Sequence, residues 1–293
     1  MGSIVVPVDD RLYSTLAIGS DAFPFALFHD DLSRFAQGFV NWHKQREIEI
    51  SVILEGSVRV CLLREEHVLR AGESFLILPG ALHAILPVAH EPGRYFTLIF
   101  DPRLLTGFPG SFFDRTWYAP AMRAGCSYQR LSGHPSSAAI HEHLFLIRNL
   151  ADCADAQTQL AIQRRLQDVW LLLSAQGFTA DSSGKAPEER RILAMIDYLR
   201  SHYSEKFSLR EMADALHVSR GECCRYFRRM MGMTITEYLI DYRLSCAAQQ
   251  LTGTALTITE IAHSCGFNSP SSFSQAFREK TGQTPSQYRA ENN

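Results

Sequence analysis

The chain lacks the features that mark several classes of protein. Its seven cysteines are odd in number and include no C-x-x-C pair, which argues against a disulfide framework or a zinc site. The longest apolar runs, such as "VWLLL", are far too short to cross a bilayer. The opening "MGSIVVPVDD" has neither the basic start nor the long apolar stretch of a signal peptide. We therefore expect a cytoplasmic protein that has no membrane partner.

An excess of charge of either sign is also missing. The formal net charge is -2, and residues 1–186 carry 16 Lys and Arg against 19 Asp and Glu. Residues 187–293 carry 13 against 12, so a nucleic-acid-binding surface there has to be local. The length of 293 residues fits two domains of roughly 100–200 residues each.

The N-terminal part of the chain alternates as β-strands do and then changes to a helical period. Ile48, Ile50 and Val52 alternate with polar residues, and further short runs up to residue 100 are separated by glycine and proline. This pattern over residues 20–100 predicts a small antiparallel barrel or sandwich. Apolar residues at helical spacing then predict two helices, Ser136–Cys153 and Gln157–Gln176, which pack against the barrel.

A short polar segment separates this part from an all-helical remainder. Thr179–Pro187, "TADSSGKAP", consists of small and polar residues, which predicts a flexible linker. From Glu188 onward the apolar residues recur at helical spacing, and capping patterns begin at Ser208 and Thr257. The predicted fold is therefore α+β and multidomain, with a barrel and two helices in residues 1–178, a linker at 179–187 and an all-α domain at 188–293.

The all-α part contains an internal repeat. Glu211–Ala213 precedes Glu260–Ala262 by 49 positions, and after one extra residue the offset becomes 50, so that Phe227 matches Phe277. Each copy is predicted as helix, tight turn and second helix, over about residues 208–232 and 257–282, with a long joining helix at Glu237–Leu251. Two copies in register favour a pair of DNA-binding helix-turn-helix units over a repeat with purely structural cores.

The second copy carries a specific family resemblance. Its segment "EIAHSCGFNSPSSFSQAFREKTGQTPSQYR", Glu260–Arg289, resembles the C-terminal signature of the AraC/XylS family of transcriptional regulators. The first copy is a looser match, and the β-rich part resembles the cupin-like sensor domain usual in that family. The resemblance implies four partners: a double-stranded DNA operator, RNA polymerase, a small-molecule effector, and a second copy of the chain. It also implies that one of the two N-terminal helices forms the dimer interface.

The resemblance places candidate DNA contacts on the second helix of the first unit, about Arg220–Met231. The family's base-contacting positions fall on Gly221, Cys224 and Arg225, of which only Arg225 can pair bidentately with guanine. Three arginines of the same helix are expected at phosphates, with solvated helix charge as the alternative for the last two. They are Arg220, Arg228 and Arg229.

In the second unit the matching positions are Ser271, Ser272 and Gln275. Glutamine suits adenine, whereas serine is a permissive partner for several base edges. Asn268 and Ser269 begin this helix, where they favour a phosphate, cap the helix, or do both.

Charge for the DNA backbone is expected from arginines of the first unit and from Arg278 and Lys280 of the second. We therefore expect the first unit to supply most of the affinity and the second unit to supply a modest sequence preference.

Two segments of the β-rich part resemble the cupin motifs in degraded form. In "NWHKQREIEISVILEG", Asn41 stands where metal-binding cupins have their first histidine, and His43 is one residue too far from Glu49. His83 closes the second motif, "GESFLILPGALH". If one unbroken strand covers residues 41–49, its odd-numbered side chains point the same way. We predict no metal and no other cofactor, but a small-molecule pocket in the barrel. Its candidate polar lining is Trp42, His43, Glu47, Glu49, Arg59 and His83.

Together, the two parts predict a sequence-specific transcription factor whose activity a small molecule modulates, and not an enzyme. The alternative is a cupin-type metal-dependent enzyme with a helical accessory domain, and Asn41 in place of histidine argues against it. A third hypothesis is an interaction module whose helix-turn-helix repeats bind protein. The salt dependence of DNA affinity separates that module from a transcription factor.

Overall fold

The computed structural model forms two compact units, one within residues 4–185 and one within residues 186–293. The described residues are 6–9, 12–35, 38–62, 65–88, 91–133, 135–153, 155–175, 177–178, 187–231 and 233–292. The predicted linker, residues 179–187, lies outside them except for Pro187, and so does Gly232, the predicted end of the first helix-turn-helix unit. No helix among the described residues is long and apolar enough to span a membrane.

Antiparallel strands build the described part of the N-terminal unit. They are β1 (Phe25–Asp31), β2 (Val40–His43), β3 (Ile48–Leu62), β4 (Glu66–Arg70), β5 (Ser74–Ile77), β6 (His83–Pro87), β7 (Gly93–Phe100) and β8 (Tyr128–Arg130). The first half of β3 pairs with β5 and β7, and its second half pairs with β4 and β6. The shared strand β3 joins the two halves of the sheet around one buried interior. The predicted antiparallel barrel is thus confirmed, whereas β8 was not predicted.

The long strand β3 presents different positions to the barrel interior in its two halves. Ile53 packs inside the barrel, so Glu49 and Ser51, which share its alternation, also face the interior. A register shift follows directly after Ile53, and beyond it Val58 and Val60 are the interior residues. The set of inward-facing positions therefore changes from odd to even numbers within one strand.

Helices cover the outer face of the first half of β3. They are α1 (Arg103–Thr106), a π-helical turn (Asp114–Tyr118), α2 (Ala119–Ala124), α3 (Ser137–Leu150) and α4 (Ala156–Ser174). Ile48, Ile50 and Val52 share a buried cluster with α3 and α4, and Trp170 of α4 is buried in it. The two helices predicted from the apolar period are therefore present, and most of their stripe is core.

The described residues of the C-terminal unit form helices joined by turns, without a strand. Its helices are α5 (Pro187–Ser201), α6 (Leu209–Ala215), α7 (Arg220–Met231), α8 (Ile235–Gly253), α9 (Ile258–Ser264), α10 (Pro270–Thr281) and α11 (Pro285–Asn292). The pairs α6–α7 and α9–α10 are the two predicted helix-turn-helix units, and α8 joins them. Capping boxes begin α8 at Thr234 with Glu237, and α9 at Thr257 with Glu260. These local signals fix where each helix starts.

Candidate DNA-binding surface and barrel interior

The turns of the two helix-turn-helix units have the same backbone geometry. His217 and Gly266 both have a positive φ, of 53° and 76° respectively. The amide of the following residue donates to an alanine carbonyl of the preceding helix, Ala213 in the first unit and Ala262 in the second. In the first turn, His217 therefore adopts the left-handed conformation that glycine, as in the second turn, adopts most easily.

Each second helix is anchored by two side chains one turn apart. Cys223 and Phe227 of α7 are fully buried, and so are Phe273 and Phe277 of α10. In each helix the two residues are four positions apart, which places their side chains on the same face. Because the anchors occupy one face, the opposite face of each helix is left for solvent or for a ligand.

The candidate DNA contacts of the first unit all lie on the exposed side of α7. The exposed residues are Arg220, Gly221, Cys224, Arg225, Arg228 and Arg229. A Cβ atom at position 221 would lie 3.2 Å from Nη1 of Arg225, so the absence of a side chain there leaves room for the guanidinium. The guanidinium of Arg229 lies 5.3 Å from the centroid of the Tyr226 ring, which orients it along the helix surface.

The candidates of the second unit lie on α10 or directly before it, and all but one are exposed. Asn268, Ser271, Ser272, Gln275 and Arg278 are exposed, whereas Ser269 is half-buried. The hydroxyl of Ser269 accepts a hydrogen bond from the Ser272 amide at 3.1 Å and therefore caps the helix. The Ser272 hydroxyl donates to the carbonyl oxygen of Ser269 at 2.9 Å. Both hydroxyls are thus engaged at the start of α10.

Gln275 has a partner on its own helix. Its Nε2 atom donates to Oε1 of Glu279 at 2.9 Å, one helical turn away. The carboxylate of Glu279 holds the amide group in a fixed orientation on the exposed face of α10, and this contact has to open if the amide is to pair with a base.

Lys280, which was expected to supply charge for the DNA backbone, is instead paired with an acidic side chain. Its Nζ atom lies 2.6 Å from Oδ1 of Asp241 on α8, and both side chains are mostly buried. Burial raises the pKa of Asp241, although Lys280 opposes that rise. The ammonium group therefore links α10 to the joining helix instead of adding freely to the charge for DNA.

Arg243 is a structural residue that sequence reasoning missed. From α8, its Nε atom donates to the Tyr203 carbonyl at 2.7 Å and its Nη2 atom donates to the Glu205 carbonyl at 2.6 Å. The turn of the second unit packs at the same place, because a Cβ atom at Gly266 would lie 2.5 Å from the Tyr203 oxygen. The second unit is thereby fitted against the segment that follows α5.

Three of the predicted barrel-lining residues lie close together inside the N-terminal unit. His43, Glu49 and His83 are buried, and one possible ligand atom from each lies within 4.8 Å of the other two. Nε2 of His83 is 3.4 Å from Oε2 of Glu49, and the two imidazole centroids are 4.3 Å apart. The side chains come from β2, β3 and β6, which the barrel brings together.

Backbone carbonyls fix the protonation of the two imidazoles. Nδ1 of His43 lies 2.8 Å from the carbonyl oxygen of Asn41, and Nδ1 of His83 lies 3.0 Å from that of Ala81. A carbonyl oxygen only accepts, so each Nδ1 carries the proton and each Nε2 faces the cluster. Burial lowers the pKa of His43 to about 4.

Glu49 is the carboxylate at the centre of a polar network. It accepts hydrogen bonds from Nε2 of Gln45 at 3.0 Å and from the hydroxyl of Ser51 at 3.2 Å. Burial alone raises the pKa of Glu49, but His83 and the Ser51 hydroxyl outweigh burial and hold this pKa below its ordinary value. The Ser51 hydroxyl also contacts the Thr97 hydroxyl at 3.0 Å.

The same network continues to Asp30 of β1. The Thr97 hydroxyl donates to Oδ2 of Asp30 at 3.0 Å. Burial is the main cause that raises the pKa of Asp30 to about 7, with a smaller contribution from the negative charge of Glu49. Sequence reasoning did not select Asp30, Thr97, Ser51 or Gln45, although Ser51 shares the strand alternation of Glu49.

Glu47 and Arg59 do not join this cluster, contrary to the prediction. Strand β2 ends at His43 and β3 begins at Ile48, so Glu47 lies in the turn, where its carboxylate accepts from the Arg46 amide at 2.9 Å. Arg59 lies beyond the register shift of β3 and pairs on the outer face with Glu66, at 3.5 Å.

Two further residues of the cupin-like motif, Asn41 and Trp42, lie on β2. Trp42 is buried, next to His43 on β2. Asn41 is half-buried, and its amide donates to the Val6 carbonyl at 3.4 Å, away from the cluster. A register shift in β2 between Val40 and His43 turns His43 toward Glu49 despite the unusual spacing of the two residues in sequence.

Two protein-family models match this chain, one in each of its two compact units. The model for the AraC-like ligand binding domain matches residues 32–183, and that for a helix-turn-helix domain matches residues 212–291. The uncharacterized HTH-type transcriptional regulator YdeC of Bacillus subtilis is 26% identical over 288 residues, which are 97% of this chain and 98% of YdeC. The HTH-type transcriptional activator RhaR of Escherichia coli K12 is 33% identical over 119 residues, 41% of this chain and 42% of RhaR. Among solved structures, the DNA-binding domain of AdpA in complex with a target DNA matches with a TM-score of 0.33 and 29% identity, over 34% of this chain and 91% of that one.

Proposed function

Because this chain belongs to the AraC family of transcriptional regulators, we propose that it binds a specific operator through α7 and α10 and responds to an effector in its barrel. The protein is a DNA-binding regulator with an N-terminal ligand-binding domain. The observation that carries the proposal is the pair of matching helices, each anchored by two buried side chains and exposed on its opposite face. A helix of this kind enters the major groove with its N-terminal end first.

In the first unit, Arg225 is the residue that reads a base. Its guanidinium can donate two hydrogen bonds to O6 and N7 of guanine, and Gly221 leaves space beside it. Cys224 approaches the base edges without a strong donor of its own. The phosphates on either side of the groove are contacted by three exposed arginines, Arg220, Arg228 and Arg229.

In the second unit, Gln275 reads adenine after its amide leaves Glu279. Ser271 and Ser272 are short and exposed, so the backbone of α10 can lie close to the base edges. Asn268 and the N-terminal end of α10 face a phosphate, which the positive end of the helix dipole favours. Arg278 adds a phosphate contact near the C-terminal end of the helix.

The two helices of one chain enter successive major grooves, about one helical turn or roughly 10 bp apart. A homodimer, formed through α3 or α4, binds two such sites. The two chains then occupy direct or inverted repeats, depending on the symmetry of the dimer on DNA.

The effector binds inside the barrel, where polar side chains converge in an otherwise apolar interior. An effector that prefers one arrangement of the full chain shifts the population that is competent for the operator or for RNA polymerase. We assign the protein to the cytoplasm and give it no catalytic activity, because its relatives are regulators and its partner is chromosomal DNA.

Operator binding is tested with the full chain and a random DNA library. Selected sites and scrambled controls are titrated by fluorescence anisotropy at several salt concentrations. We expect selected DNA to bind at least about 10³-fold more tightly than scrambled DNA. The logarithm of affinity should fall linearly with the logarithm of salt concentration. Equal affinity for both DNAs would show that the helices do not read sequence.

The effector is sought by a thermal-shift screen of small metabolites against the full chain. Each compound that raises the unfolding temperature is then added to the titration of selected DNA. We expect at least one such compound to change operator affinity or transcription in vitro with RNA polymerase. A set of stabilising compounds without any effect on either readout would remove the sensor role.

A further inference from the structure

The buried group of His43, Glu49 and His83 has the composition of a metal site. It offers two imidazole nitrogens and one carboxylate, and the candidate ligand atoms lie within 4.8 Å of one another. No cysteine belongs to the group. Two imidazoles and one carboxylate hold zinc in some catalytic sites and iron(II) in others.

The second layer of contacts holds these ligands in the orientation that a metal requires. Each imidazole donates its Nδ1 proton to a backbone carbonyl, at Asn41 for His43 and at Ala81 for His83. Metal-binding histidines are oriented in this way, because the hydrogen bond fixes the tautomer and directs the other nitrogen at the ion. The Ser51 hydroxyl likewise orients the Glu49 carboxylate by donating a hydrogen bond to Oε1.

One atom of the group has no partner among the described residues. Nε2 of His83 is fully buried and makes no hydrogen bond, although Oε2 of Glu49 lies 3.4 Å away. When His83 is neutral, with its proton on Nδ1, a lone pair of Nε2 faces the carboxylate across this distance. A buried polar atom without a partner is costly, and a cation between the two atoms removes the cost.

We propose that the barrel binds one divalent transition-metal ion through Nε2 of His43, Nε2 of His83 and the carboxylate of Glu49. Bonds of about 2.0–2.2 Å place ligand atoms roughly 3–3.5 Å apart. Nε2 of His83 and Oε2 of Glu49 already have this separation, so only His43 has to move inward, by about 1 Å. Three protein ligands leave at least one coordination position for water or for an oxygen atom of an effector. The ion thus deepens the proposed effector site, and only its consequence for DNA rests on the proposed function.

The sequence argued against a metal because Asn41 replaces a histidine, but Asn41 lies outside the group that forms. The bulge in β2 and the turn before β3 bring His43 to Glu49 in spite of their spacing. Three ligands are therefore present without the position that the motif lacks.

The test measures metal binding by the full chain in the absence of DNA. Protein stripped with a chelator is titrated with Zn²⁺ and with Co²⁺ by calorimetry, and bound metal is counted after dialysis. We expect about one ion per chain, and a visible Co²⁺ spectrum that Zn²⁺ abolishes. Binding of neither ion by folded, stripped protein would overturn the proposal.

Three variants localise the ion: His43→Gln, Glu49→Gln and His83→Gln. Each should lose at least about tenfold in Zn²⁺ affinity, since even outer-layer changes cost that much. The matched control is His67→Gln, because His67 also lies 3.4 Å from a carboxylate, that of Glu65, but has no third ligand beside it among the described residues. If all three variants bound Zn²⁺ as tightly as the wild type, the ion would lie elsewhere and the proposed site would be refuted.

A measurement without substitutions covers the case in which a variant does not fold. X-ray absorption at the zinc edge of the wild-type chain should show nitrogen and oxygen neighbours only, with the scattering of two imidazoles. Sulfur neighbours would mean that the free cysteines hold the ion, and the proposal would then be wrong. Because none of these readouts uses DNA, failure of operator binding and failure of metal binding are separate results.

Discussion

Lys280 and Asp241 form an ion pair, with 2.6 Å between Nζ and Oδ1, that links α10 to the joining helix α8. The pair lies among mostly buried side chains, so its loss leaves one charge without compensation. The contact positions α10 relative to the first unit. It also takes away a cation that the sequence had assigned to DNA.

Lys280→Ala is therefore expected to lower stability and to leave the number of phosphate contacts unchanged. The free energy of unfolding should fall by about 2 kcal/mol, less than for a fully buried pair. The slope of log affinity against log salt should match that of the wild type. Arg278→Ala is the control two residues earlier on α10. It should keep stability and reduce the slope by about one. A reduced slope for Lys280→Ala would assign Lys280 to a phosphate.

Arg225→Ala and Gln275→Ala should have different effects on the affinity and the specificity of DNA binding. Loss of Arg225 removes a bidentate contact and a positive charge, so affinity should fall by about 1–3 kcal/mol together with preference for guanine at one position. Loss of Gln275 should relax specificity more than it reduces affinity, because its amide exchanges a bond with Glu279 for one with DNA.

The measurement for both variants is selection from a random library, followed by titration of the winning sites. Arg123→Ala, an exposed arginine of α2 in the other unit, controls for the general loss of a positive charge. If Gln275→Ala lost more affinity than Arg225→Ala, the assignment of the two helices would be wrong.

Gly266→Ala should unfold the C-terminal unit at a lower temperature. The left-handed backbone alone costs an alanine roughly 1–2 kcal/mol, and its Cβ would come within 2.5 Å of the Tyr203 carbonyl oxygen. We expect a total loss of about 3 kcal/mol or more in the free energy of unfolding. Gly253→Ala, at the end of α8 with open space around its Cβ position, should be neutral or stabilising.

His217→Gly completes the comparison of the two turns. The first turn has the same hydrogen bonds with φ of 53° at histidine, so glycine there should cost little or gain a few tenths of a kcal/mol. Chemical denaturation of each variant measures these differences. A Gly266→Ala variant as stable as the wild type would show that the turn of the second unit is not confined by its neighbours.

The C-terminal unit was predictable because its signals are local. The capping residues Thr257 and Glu260, the turn glycine Gly266 and the anchors Phe273 and Phe277 all lie within one short segment. Each of these signals involves residues close together in sequence, so the helical spacing of apolar residues and the capping and turn residues are enough to place the helices.

The barrel interior could not be predicted in full, because it depends on a strand bend, a register shift and long-range contacts that the alternation of apolar residues does not indicate. Gly56 has a φ of 68°, and a Cβ atom there would lie 1.8 Å from the Pro92 carbonyl oxygen, so the strand can bend only at glycine. Near this bend the register shifts, and Arg59 faces outward although it has the same parity as Glu49. The contact of Thr97 with Ser51 joins residues 46 positions apart, which no local pattern predicts.

Ser51→Ala and Arg59→Ala separate the interior face of β3 from its outer face. Ser51 donates to Oε1 of Glu49, so its loss frees the carboxylate to rotate and should weaken Zn²⁺ binding by about 10–100-fold. Arg59 contacts Glu66 on the outside, and its loss should leave Zn²⁺ affinity unchanged. Calorimetric titration of the two stripped variants makes the comparison, and Ser51→Thr, which keeps the hydroxyl, should restore most of the affinity. If Arg59→Ala weakened binding as much as Ser51→Ala, the register shift of β3 would not determine which side chains reach the ion.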